Sequence, residues 1–98
     1  MTTVVDVAFP ASEIPGSELI EAGLRDLGEG RASVEALVVS IGAPRLRQLG
    51  LEVTFPIADA EHALFLLLAA DDPDSAHGRY NALIRRLVSF ERAAACAG

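Results

Sequence analysis

The chain has 98 residues, 51% hydrophobic and 22% charged, with a formal net charge of −6. It is therefore too apolar for a disordered segment and of a size for one core. All eight basic residues are arginines, which removes a Schiff-base lysine and a phosphate-loop lysine, and the acidic balance argues against nonspecific nucleic-acid binding.

Residues 1–16 contain an alternating piece, Val5, Val7 and Phe9 against Asp6 and Ala8, ended by Pro10 and the Pro15-Gly16 break. This reads as an extended N-terminal arm or short strand. Ser17 then reads as an N-cap, and Leu19, Ile20, Gly23, Leu24 and Leu27 fall at helical spacing before Gly28 supplies a stop. Ser33 is a second N-cap, for a helix carrying Val34, Leu37, Val38 and Ile41 and ending at Gly42. Pro44 opens a third, short helix with Leu46 and Leu49 on one side and Gly50 at its end.

Residues 51–57 alternate Leu, Val, Phe and Ile with Glu, Thr and Pro. They read either as a short strand that could pair with residues 4–9 or as an extended connector. Asp59 caps a fourth helix over 60–70, apolar on nearly all sides and so expected to be central. Asp72 followed by Pro73 predicts an N-cap and first helical residue, opening an amphipathic fifth helix that runs to about Ala95. Its apolar stripe is Ala76, Tyr80, Leu83, Ile84, Leu87, Val88, Phe90 and Ala94, with Arg79, Arg85, Arg86, Ser89 and Arg92 around the other side. The short link makes the last two helices an antiparallel hairpin.

The charges are unevenly divided. Residues 1–74 hold 13 Asp or Glu against 4 Arg, a balance of −9, whereas residues 75–98 hold 4 Arg against Glu91 alone, a balance of +3. The basic flank of the last helix, Arg79, Arg85 and Arg86, with an apolar edge at Phe90, is the candidate interaction surface for an acidic partner or a second copy. Glu91 projects into the apolar stripe, so it either reaches solvent or meets an arginine, Arg25, Arg45 or Arg47 of the same chain or one from a second copy. His77, Asn81 and Arg85, at i, i+4 and i+8, are the candidate ligand residues, a row that could hold an anion or a carboxylate or simply border the helix.

No catalytic constellation is present: no Gly-x-Ser-x-Gly, His-Glu-x-x-His, Cys-x-x-Cys or Gly-x-Gly-x-x-Gly occurs. The six serines read as caps, loop or helix-surface residues. His62 and His77 lack the clustering of zinc ligands, Asp71, Asp72 and Asp74 read as caps rather than a calcium loop, and the lone Cys96 has no neighbour to activate it. No cofactor or metal is expected. The longest run without a polar residue, 63–70, is eight long against the roughly 20 that span a bilayer, and the N-terminus has no signal-peptide pattern, so no membrane partner is expected and the cytoplasm is the default compartment.

The expected architecture is a single mainly α domain over 1–98, a bundle of four to five helices closed by the long C-terminal hairpin. The runner-up is a mixed α/β fold with strands at 34–41 and 63–68. Short helices closed by one long C-terminal helix are similar in outline to sterile-alpha-motif-like interaction domains, a likeness of element order that implies no particular residue. The expected function is a noncatalytic interaction or regulatory domain that self-associates; a small-ligand-binding or enzymatic subunit is the alternative.

Overall fold

A computed structural model describes residues 14–97. Five helices follow one another, α1 (Ser17–Gly28), α2 (Val34–Ile41), α3 (Ala43–Gln48), α4 (Ala60–Asp71) and α5 (Ala76–Ala97). No strand occurs among the described residues. The 34–41 and 63–68 stretches are helical, which rules out the mixed fold, and the 4–9 arm lies outside the described residues.

The core is organised around α2, not α4. The five consecutive residues Ala36, Leu37, Val38, Val39 and Ser40 are all buried, and α2 packs against each of the other four helices. Its valines cost helix propensity, but burial on every side outweighs a few tenths of a kcal/mol per residue. In α4, by contrast, only Ala60, Leu64 and Leu68 are buried, one row at i, i+4 and i+8. A helix apolar all round is central only where neighbours cover it all round, and a domain of this size has too few elements for that.

Helix α1 lies closest to α2, and Gly23 makes the approach. A Cβ built on Gly23 would fall on the Glu35 carbonyl oxygen and the Val39 Cγ2 methyl, with the Glu35 carbonyl carbon 2.9 Å away. The N-cap of α1 is Gly16 at φ 82°, not Ser17, which is the first helical residue and is buried. Gly16 rests against α5, where a Cβ would stand 3.1 Å from the Arg86 carbonyl oxygen. Ser33 caps α2 as its sequence indicates, accepting the Ala36 N–H at 3.1 Å and donating its hydroxyl to Asp26 Oδ2 at 2.5 Å.

Residues 51–57 are an irregular connector whose backbone groups are taken by side chains instead of a neighbouring strand. Arg47 donates to the Val53 carbonyl at 2.7 Å, and the buried Ser40 hydroxyl accepts the Ile57 N–H at 2.9 Å while donating to the Ala36 carbonyl at 2.8 Å. Pro56 has no N–H to give a ladder. The serines are thus not all at caps and surfaces, since Ser17 and Ser40 belong to the interior.

The last two helices form the expected hairpin, with Asp71 meeting Arg79 and the Phe65 ring meeting those of His77 and Tyr80. The link is longer than Asp72-Pro73 suggested. Helix α4 continues through Asp71, Asp72 is extended at φ −156°, and residues 73–75 turn before α5 begins at Ala76. The Asp72 carboxylate accepts the Asp74 N–H at 3.2 Å, so it organises this turn in place of the first turn of α5. Asp59 sits at the N-cap position of α4 at φ 55° without a side-chain cap bond.

Candidate interaction surface

Helix α5 buries Ala76, Leu87, Phe90 and Ala94, with Tyr80, Leu83, Ile84 and Val88 half-buried along the same stripe. Arg79 and Arg86 on one flank of the stripe and Arg85 and Arg92 behind it are all exposed. These positions follow from the helical repeat: residues three and four apart along the stripe anchor the helix, and the intervening arginines are left outward.

Two shallow grooves run along this outer side and share Ala82 and Arg86. One, of about 250 Å³, lies among Val34, Leu68, Arg79, Ala82, Leu83 and Arg86. The other, of about 490 Å³, lies among Pro15, Gly16, Ala82, Arg85, Arg86 and Ser89. The result is an apolar floor edged by guanidinium groups. Arg79 is engaged by Asp71 at 2.8 Å, whereas the side chains of Arg85 and Arg86 make no hydrogen bond or ion pair among the described residues.

The other two candidates of the interaction set do not join this face. Phe90 is 1% exposed, within the core, so it presents no apolar edge to a partner. It fills the interior where the chain entering α1 at Gly16 crosses α5. Glu91 is half-buried over the junction of α2 and α3, its Oε2 3.1 Å from where a Gly42 Cβ would stand. Desolvation there raises its pKa above 4.5, and the Arg45 charge pulls the other way. Of the arginines that the sequence offered to Glu91, Arg45 is the one whose field it feels.

The ligand row stays on the surface of α5. His77, Asn81 and Arg85 are all exposed. The His77 ring is drawn to Phe65 of α4, with centroids 4.9 Å apart and planes at 46°, while the groove that holds Arg85 holds neither His77 nor Asn81. Neither of the two grooves gathers all three. On the same hairpin, burial first and the Glu61 charge second raise the Tyr80 pKa above 10.0. Among the described residues no group of three or more His, Cys, Asp or Glu could hold a metal ion, and no helix is long and apolar enough to cross a membrane.

Sequence reasoning missed two features. Phe55 stands 80% exposed at φ 52°, beside a third groove that includes Leu27, Arg31 and Ile57. Its neighbour Pro56 signalled only that a strand would fail there; a residue before proline favours extended backbone, so nothing in the sequence pointed to the positive φ of Phe55. The second is the outer side of α4, where Leu66 is 53% and Leu67 41% exposed. An apolar run without periodicity gave no means of telling its dry side from its wet one. Comparison of the chain with family models, with curated proteins and with solved structures gave no match in any of the three.

Proposed function

We propose that this chain is a noncatalytic interaction domain that self-associates through the arginine-edged outer face of α5. The observation that supports this reading is the state of Arg85 and Arg86: consecutive on α5, exposed, with no side-chain partner among the described residues, lining a groove whose floor is apolar. Guanidinium groups left open beside apolar surface suit a partner that brings carboxylates, and a second copy brings them, since residues 1–74 carry −9. The cytoplasm, whose reducing conditions suit the exposed thiol of Cys96, is the compartment we assign.

Sedimentation equilibrium tests this directly. The expected result is a dimer at micromolar concentration, with Arg86→Glu shifting it to single chains and Arg31→Glu having the smaller effect. Arg31 lies off this face and is already engaged by Glu29 at 2.6 Å and Asp26 at 3.7 Å. The mass of one chain across the accessible range, or equal effects of the two variants, would refute the reading.

A further inference from the structure

Helix α4 carries more apolar surface than its own fold uses. Ala60, Leu64 and Leu68 face the core, and Phe65 faces α5 of the same chain through His77 and Tyr80. Leu66 stands about 100° further round the helix and is exposed, in a row with the exposed His62 and Ala70 and beside the exposed Leu67. The ends of this row are acidic. Asp59 lies at its start and Asp72 and Asp74 in the turn at its finish, all exposed, and the chain has no arginine between Arg47 and Arg79; Glu61 and Asp71 instead face α5 of the same chain, at Tyr80 and Arg79. The outer face of α4 is therefore an apolar strip with negative ends, and the outer face of α5 is an apolar groove with positive edges.

We infer that the occupant of the α5 groove is the outer face of α4 from a second copy of this chain. The inference rests on the self-association proposed above and names its counter-surface. Charge complementarity carries it. A contact of α5 against α5 would set arginines against arginines, which is repulsive, whereas α4 against α5 sets Leu66 and Leu67 over Ala82 and Leu83 and brings carboxylates to the guanidinium edges. The lengths agree, because Asp59 to Asp72 and Arg79 to Arg92 each span about 20 Å at 1.5 Å per residue, so the acidic ends of the α4 row match the basic stretch of α5. The two faces cannot meet within one chain, since Phe65 already fixes the contact between its own α4 and α5. About a twofold axis the contact is made twice, each copy giving one α4 and one α5.

Complementation between two surface variants of the full chain is the test. Arg86→Glu spoils the groove and leaves the α4 face intact, while Leu66→Arg spoils the α4 face and leaves the groove. Both sites are exposed, and far-UV circular dichroism of each variant should match the parent. In sedimentation equilibrium each variant alone should weaken dimerisation at least tenfold. An equimolar mixture should recover dimer mass, because one pairing in it joins an unaltered groove to an unaltered face and the other sets the two substituted side chains, now of opposite charge, against each other. A parent dimer that Leu66→Arg leaves unchanged, or a mixture that stays at one-chain mass, would overturn the α4–α5 pairing while self-association stood. A parent that is itself one chain in mass would overturn both.

Discussion

The approach of α1 to α2 makes a quantitative prediction at Gly23. Replacing a helical glycine by alanine ordinarily stabilises by up to about 1 kcal/mol, because glycine loses the most backbone freedom on folding. At Gly23 the added methyl meets the Glu35 carbonyl, which is backbone, and the Val39 methyl, so relief requires moving one helix away from the other. Overpacking of this kind costs about 1–3 kcal/mol, and the fixed carbonyl places Gly23→Ala toward the upper end, a net loss of about 2 kcal/mol after the propensity gain. With an m-value near 1–1.5 kcal/mol per molar urea for a small domain, the unfolding midpoint should fall by about 1.3–2 M. Gly78→Ala in α5 is the control, since nothing lies within 4 Å of a Cβ there, and it should raise the midpoint slightly. A rise at Gly23 equal to that at Gly78 would show that α1 and α2 are not in close contact, and the packing described for α2 would be wrong.

Three further outcomes follow from single side chains. Ser40→Ala leaves the Ile57 N–H without its acceptor and should cost about 1–3 kcal/mol, with faster hydrogen exchange at the Ile57 amide; unchanged exchange would mean that the connector is not held from α2. Phe55→Asn replaces an aromatic residue at φ 52° with one that tolerates the left-handed region, so the melting temperature should rise by about 5 °C, on the order of 1 kcal/mol; a lower value would show that the exposed ring contributes to stability. Glu91 has its folded-state pKa raised by burial, so the folded state holds that proton more tightly than the unfolded chain and stability falls as pH rises from the ordinary carboxyl value through the raised one. Glu91→Gln should remove this decline and melt higher than the parent at neutral pH, and Arg45→Ala should deepen it; a Gln variant with the parent's pH profile would remove the role given to burial.

The legible part of this fold was the part set by local chemistry. Ser33 before an apolar run and Gly42 after it are read correctly, and Pro44 falls one residue inside a helix that begins at Ala43, because each acts on its own backbone neighbours. What stayed hidden depends on which elements meet. The alternation of 51–57 resembles a strand until Arg47 and Ser40 claim its polar groups. The stripe separates Phe90 from Arg86, but that Phe90 is fully enclosed and presents no edge depends on the chain passing α5 at Gly16. The arginine side of α5 was visible in the sequence as a pattern; the groove beneath it was not, because Val34, Leu68 and Pro15 arrive from three other parts of the chain.

The charge split between the two parts of the chain bears on why the groove stays open. If the +3 of residues 75–98 served to neutralise the −9 of residues 1–74, the arginines of α5 would be spent on carboxylates of the same molecule. Among the described residues Arg79 alone is used that way, against Asp71, at a site where both side chains are largely in water and the pair adds little stability. Arg85 and Arg86 instead flank apolar surface, where a carboxylate brought by a partner would be partly desolvated and its orientation would matter more than its strength. The same holds for Leu66 and Leu67, which add nothing to the core that Leu64 and Leu68 do not already supply. Two surplus features of opposite character, on adjacent helices of one hairpin, are the surfaces that the proposed self-pairing would join.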